Sequence, residues 1–342
     1  VHSAFDVALV WLTGAGTFVG ALWLALLIDH WLGEPSVQWH PVVWMGNYLG
    51  GIGKRIAPPI GEVQGVAAGS RLWQFAAGAL AWCVGAMVVL VAAVVLQRIA
   101  LGLPAWASVV ILGVLLKPLL AWRMLRTEVL AVEAALAVSL EAGRARLARL
   151  VSRDVSQLSE SEVRESAIES LAENLNDSVV APVFWFVIFG LPGAALYRFA
   201  NTADAMWGYL GERNGHDWTW AGKWAARADD VLSWVPARLT VALLMLSFCL
   251  QVRQRNAVWK TLKATCETLR REAIRTPSPN SGWPMAAMAL LLGMRLGKPG
   301  VYTLNSTGLV PVSRDVTRAA VLANRSVYAL AVLGTLVMGS AR

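Results

Sequence analysis

The chain has 342 residues, of which 56% are apolar and 15% charged, with seventeen tryptophans and a mean hydropathy of +0.53. A soluble domain carries roughly 25% charged residues, so composition excludes an ordinary water-soluble protein. The formal charge of +8 fits basic loops held on the cytoplasmic side of a bilayer and is not read as nucleic-acid binding. Cys83, Cys249 and Cys266 are far apart with no CxxC pair, and the four histidines are dispersed. No disulfide framework or zinc pattern follows.

A membrane-crossing helix needs about 20 apolar residues. The runs at 7–28 and 73–96 have that length. The run at 105–122 is slightly short and holds Lys117-Pro118, but a lysine near one end can snorkel to the interface. The first run lacks a basic segment before it and a small-residue cleavage site after it, so it is expected to be an anchor. Residues 123–150 place Leu125, Val129, Val132, Leu136 and Leu140 at helical spacing, which predicts one amphipathic helix. Ser159 followed by Glu162 is a capping-box pattern, which starts a helix near Glu160. The apolar run 179–199 is interrupted at Leu191-Pro192-Gly193, 231–250 contains Pro236 and Arg238, and 327–338 is short for a span.

These runs predict an all-α, polytopic membrane bundle of about four to six membrane helices, some broken or re-entrant, forming one catalytic domain over 1–342. Lysine and arginine gather in 29–72, 123–178 and 251–326. That bias places these segments in the cytoplasm and the N-terminus outside.

Four polar stretches sit against the apolar runs. In Ser152–Ser178, Glu162, Glu165, Glu169 and Glu173 recur every three or four residues, with Asn176 and Asp177 a turn further. Glu162 and Glu165 read as a solvated acidic face. Glu169, Glu173, Asn176 and Asp177 stand next to the apolar run at Val179, where an acid must be paired or ligated. Hard oxygen ligands suit Mg2+, usually bound by one or two carboxylates together with substrate phosphates. The second stretch offers Arg198, Asn201 and Asp204; the third offers Arg227, Asp229, Asp230 and Arg238; the fourth is the turn-rich TPSPNSGWP, with Ser278, Asn280 and a helix start near Pro284. Asp29, Glu34 and His40 follow the first span. The chain has no G-x-x-x-x-G-K-[ST] loop, no G-x-S-x-G elbow and no H-E-x-x-H pair. A nucleotide would have to be held by scattered acids and basic groups.

Taken in order, HPVVWMG, SRDVSQLSESEV, ESLAENLNDSVVAP, YRFANTADAMWGY, ARADDVLSWVPARL and PSPNSGWPMAAMA resemble the adenosylcobinamide-phosphate synthase family of cobalamin biosynthesis, the CobD/CbiB integral membrane proteins. The wording departs from that family's usual pattern at Ser152, Leu175 and Ser178. The resemblance implies a multi-pass protein of the cell inner membrane that joins adenosylcobyric acid to (R)-1-aminopropan-2-ol or its O-phosphate at the expense of ATP. It implies a corrinoid and aminopropanol phosphate as substrates, contact with lipid, and assembly as a homo-oligomer or with other enzymes of the pathway.

Chemistry then suggests roles. Glu173 and Asp177, with Asn174 or Asn176, are expected to bind Mg2+ and phosphate; Asp204, Asp229 and Asp230 to hold a second metal or act as base. Arg153, Arg227 and Arg238 are expected to grip phosphate oxygens, with Asp154, Asn201, Ser278, Asn280 and His40 as further binding residues. A single site would require Asp204 and Asp230 to open to the same compartment as Glu173. Two other classes share parts of the pattern: an intramembrane Mg2+-dependent prenyltransferase, whose spaced acid signature is missing here, and a non-catalytic sensor or transporter.

Overall fold

A backbone crossing hydrocarbon must satisfy its own hydrogen bonds, which leaves this apolar chain little but helix. The computed structural model describes residues 4–60, 68–251 and 255–340. In chain order these form α1 Ala4–Leu32, α2 Pro41–Ile56, α3 Ala68–Leu101, α4 Ala105–Leu116, α5 Trp122–Leu136, α6 Leu140–Leu147, α7 Glu160–Leu175 and α8 Ala181–Trp207. A short hairpin follows, β1 Glu212–Arg213 and β2 His216–Asp217, then α9 Lys223–Gln251, α10 Arg255–Ala273 and α11 Gly282–Leu292. A second hairpin, β3 Leu296–Lys298 and β4 Tyr302–Leu304, precedes α12 Ser313–Ser340.

Six segments are long and apolar enough to cross a membrane: Gly14–Leu32, Ser70–Leu101, Ala105–Leu136, Glu160–Trp207, Lys223–Gln251 and Ser313–Ser340. This is an all-α, polytopic membrane fold. The last of them corrects the reading of 327–338 as too short. Its first turns carry Arg314, Asp315 and Arg318, which dilute the hydropathy, yet Asp315 accepts from Arg318 at 2.7 Å and caps the Val312 N–H at 3.1 Å.

The chain gathers into two compact units, each with its own packing. The first takes the described residues within Val1–Leu120, Pro182–Leu232 and Gly334–Arg342. In it α1 lies along α4, with Gly20 facing Val109 and Gly113 facing Leu24; small residues let helix backbones approach. α8 breaks at Gly190, with φ 68° and ψ −153°. Pro192 cannot donate to the helix ladder and clashes with the preceding turn, and the glycine two residues before it can take that backbone angle. The Leu191 N–H, freed by the break, donates to Gln97 Oε1 at 2.8 Å. In contrast, α9 continues through Pro236.

The second unit takes Ala121–Ala181 and the described residues within Ser233–Leu333. Where one amphipathic helix was predicted there are two, α5 and α6. Ser139 separates them, its hydroxyl accepting from the Ala142 N–H at 3.1 Å and so restarting the helix. α7 packs with α5, α11 and β3. The second hairpin turns at Pro299-Gly300, where Gly300 has φ 73° and Val301 N–H donates to Lys298 O at 2.9 Å, as a turn with Pro then Gly at its centre requires.

Candidate active site

α7 carries the acid column, and its start is fixed by the capping box the sequence predicts. The Ser159 hydroxyl accepts from the Glu162 N–H at 3.4 Å, and the Glu162 carboxylate accepts from the Ser159 N–H at 2.8 Å. Glu162 is therefore occupied at the helix end.

The remaining acids are not equivalent. Glu165 is only 4% exposed and accepts from Arg295 Nε at 3.1 Å and Nη2 at 2.8 Å. It belongs to a buried pair, which corrects its reading as part of a solvated face. Glu169 is also buried. One of its oxygens accepts from Arg153 Nη2 at 3.1 Å, the other from the Tyr302 hydroxyl. Arg153 donates in addition to the Ser166 hydroxyl at 2.7 Å. Burial, then the negative charges of Glu169 and Glu173, push the Tyr302 phenol far above its ordinary pKa, so Tyr302 stays a neutral donor. Arg295 and Tyr302 bracket the β3–β4 hairpin, which thereby lays one cation and one phenol along the acid face. Composition and helical spacing gave no sign of either; the Lys298-Pro299-Gly300 turn was the available signal.

Glu173 and Asp177 come next and are half-buried. After α7 the backbone widens into a π-helical turn, Asn176–Val180, which contains Asp177; such distortions are frequent at functional sites. Asn176 is 1% exposed; its amide donates to Asp177 Oδ1 at 2.8 Å and its oxygen accepts from the Thr240 hydroxyl at 3.1 Å. Both ends of Asn176 are engaged, so it orients Asp177. Asn174 donates to Ser170 O at 3.0 Å.

The donor set can be tested against Mg2+. Among the described residues no group of three or more His, Cys, Asp or Glu is placed to hold a metal ion. Glu169 is tied to Arg153 and Tyr302. What fits is a pair of carboxylates, Glu173 and Asp177, one turn apart, completed by substrate oxygens as Mg2+ sites usually are.

In the same unit Arg238 lies between two tryptophans, its guanidinium carbon 4.8 Å from the Trp234 ring centre and 4.5 Å from that of Trp283. It donates to Asn280 Oδ1 at 2.5 Å, Trp234 O at 2.9 Å and Pro279 O at 3.3 Å. The Ser278 hydroxyl accepts from the N–H groups of Asn280 and Ser281, both at 3.2 Å. Arg238 thus clamps the 278–281 loop at the N-terminus of α11. Asp154 is exposed and is held by Ser156, whose N–H and hydroxyl lower its pKa below the usual carboxylate value.

The other predicted residues belong to the first unit. Asn201 and Asp204 are half-buried on α8, with Arg198 Nη1 donating to Asn201 Oδ1 at 3.4 Å. Asp229 and Asp230 are half-buried on α9, and the exposed Arg227 reaches Asp230 at 3.4 Å. His40 lies 3.2 Å from Glu34, and Glu34 lies 2.7 Å from Lys117. Lys117, 3% exposed, was read as a snorkelling lysine; it is instead buried between Glu34 and Asp29, the latter at 3.4 Å.

The family model described as "CobD/Cbib protein" matches residues 22–326. The chain belongs to the CobD/CbiB family. Within it, the chain is 38% identical over 288 residues to a protein named "Probable cobalamin biosynthesis protein CobD" from Methanothermobacter thermautotrophicus, covering 84% of this chain and 86% of that one. It is 36% identical over 317 residues to "Cobalamin biosynthesis protein CobD" from Brucella suis, covering 87% and 90%, and 36% identical over 279 residues to the protein of the same name from Halalkalibacterium halodurans, covering 81% of each. No solved structure matches the chain. The matched span of this CobD/CbiB member contains both α7 with its acid column and the Asp29–Glu34–Lys117 cluster.

Proposed function

We propose that this CobD/CbiB member acts in cobalamin biosynthesis and forms the amide bond between adenosylcobyric acid and (R)-1-aminopropan-2-ol or its O-phosphate, using ATP in the inner membrane. The observation that carries the reading is the sorting of the acid column. Glu165 is paired with Arg295 and Glu169 with Arg153 and the Tyr302 hydroxyl, and Glu173 and Asp177 follow one turn apart where the helix passes into the widened turn. The names of the relatives supply the pathway.

The chemistry needs that arrangement. A carboxylate does not condense with an amine near neutral pH. Its oxygen must first take the terminal phosphoryl group of ATP, releasing ADP; the amine then attacks the acyl carbon, phosphate leaves, and the ammonium proton passes to a base. Mg2+, when bound, would supply positive charge to stabilise the phosphoryl group in transfer. Glu173 and Asp177 would hold it, with Asp177 aimed by Asn176 and Thr240. Arg153, fixed by Ser166 and Glu169, would meet phosphate oxygens with its remaining donors. Tyr302, neutral, holds one oxygen of Glu169 through its hydroxyl. The loop clamped by Arg238 presents Ser278 and backbone N–H groups as further contacts.

The test is direct. Membranes containing the chain, supplied with adenosylcobyric acid, aminopropanol or its phosphate, ATP and Mg2+, are expected to give the amide product by mass spectrometry. Product formation without ATP, or none with every component present, overturns the reading.

A further inference from the structure

The first unit contains a second built site, apart from the acid column. A cavity of about 680 Å3 opens among α1, α2, α3, α4 and α8, with walls that include Tyr48, Val88, Ala92, Val114, Leu191 and Phe199. That volume lies in the range of small-molecule sites, about 300–1,000 Å3, which are mostly apolar with a few polar groups that fix orientation. Here the polar groups are Glu34 and Lys117. Gly33, at φ 73°, ends α1 and turns the chain so that Glu34 reaches Lys117.

Two carboxylates and one ammonium meet at this end. Lys117 is shared by two carboxylates, Asp29 at 3.4 Å and Glu34 at 2.7 Å. Glu34 Oε2 takes both Lys117 and His40, whereas Glu34 Oε1 is buried and has no hydrogen-bond partner among the described residues. A buried carboxylate oxygen left in this way calls for a hydrogen-bond donor. His40 Nδ1 is likewise buried without a partner. Since Nε2 faces the Glu34 carboxylate it carries a proton, so in the neutral ring Nδ1 is a second acceptor. A primary ammonium has three donors and no acceptor. The remainder of the cavity is hydrocarbon.

We propose that this cavity binds an amphiphile with a primary ammonium head on an apolar body, the head donating to Glu34 and the body lying along α3 and α4. The site goes beyond the amide-forming reading and does not depend on it.

Binding of radiolabelled decylamine to the purified full chain in nonionic detergent tests it. Saturable binding at one site per chain is expected, with decanol and decanoate competing at least about tenfold more weakly than unlabelled decylamine. Ala92→Trp, which fills the cavity, is expected to abolish binding. Glu34→Gln is expected to weaken decylamine about tenfold while leaving decanol unchanged. Circular dichroism and elution volume establish that each variant is folded, and the wild-type competition series stands without either variant. Equal competition by decanol or decanoate overturns the proposal, as does undiminished binding to folded Ala92→Trp. Displacement by 1-aminopropan-2-ol also overturns it, because the cavity would then serve the acceptor amine. Absence of amide synthesis by the chain leaves these outcomes unaffected.

Discussion

Arg295 donates through both Nε and Nη2 to a single oxygen of Glu165, across 130 residues of sequence. The carboxylate is nearly inaccessible, while Arg295 keeps about a third of its side chain exposed at 36%. Removing the arginine leaves a buried charge without its partner. Arg295→Met is expected to cost about 2 kcal/mol, below the cost of breaking a fully buried pair because solvent screens the exposed side. Arg295→Met with Glu165→Leu is expected to recover most of it. Thermal unfolding in detergent checks both; equal losses for the single and double variants would mean the pair is not what holds the hairpin to α7.

Glu173→Gln and Asp177→Asn are each expected to abolish product formation while membrane insertion and yield stay at the parental level. Glu173 stands on the last turn of α7 and Asp177 in the widened turn that follows, and neither substitution changes volume much. Asn176→Ala is expected to reduce activity less, since it removes only the orientation of Asp177. Near-parental rates for the first two variants across a Mg2+ titration would remove the metal assignment.

Gly190→Ala is expected to destabilise the chain by roughly 1–3 kcal/mol, because φ 68° with ψ −153° is essentially confined to glycine. A Cβ there would also meet the Gln97 amide, which satisfies the Leu191 N–H. An unchanged melting temperature in Gly190→Ala would show that the break relaxes without cost.

Glu34 sets a pH dependence. Burial pushes its pKa up, but hydrogen bonds from His40 and Lys117 and their charges outweigh burial and hold it below the ordinary value of 4.5. A carboxylate lowered in the folded state stabilises above its unfolded pKa, and that contribution is lost as pH falls through the folded pKa. The parental melting temperature is therefore expected to fall more steeply below about pH 4.5 than that of Glu34→Gln. Parallel curves would show that the cluster does not couple protonation to folding.

The sequence reveals local features well and distant partners poorly. Ser159 and Glu162 lie three residues apart, and the capping box they announce is present at that position. The interruption near Pro192 was legible because proline chemistry is local, although the glycine before it takes the strained angle. Glu165 looked solvated because an acidic helix face has the same spacing whether water or Arg295 covers it. Lys117 looked like an interfacial lysine because Asp29 and Glu34 lie more than eighty residues upstream. In the acid column, the apolar run that follows marks Glu173 and Asp177 as acids at its edge, and both are half-buried. The occupation of Glu169 by Arg153 and Tyr302 was not legible.

The last expectation concerns sidedness. Connections after the first, third and fifth candidate spans fall on one side if every span crosses, and they carry fifteen lysines and arginines against one in the connections after the second and fourth. Residues 251–326 alone hold twelve lysines and arginines, whereas the connection 208–222 holds only Arg213. Basic residues near span ends stay in the cytoplasm, where ATP is also available. Glu160, at the start of α7, and Arg270, near the end of α10, both lie in the second unit and are exposed. In a variant lacking Cys83, Cys249 and Cys266, cysteine at position 160 or 270 is expected to react with an impermeant maleimide only after the membrane is opened. Reaction in intact cells at either position would place the acid column on the wrong side for ATP. The amide-forming reading of Glu173 and Asp177 would then fall with it.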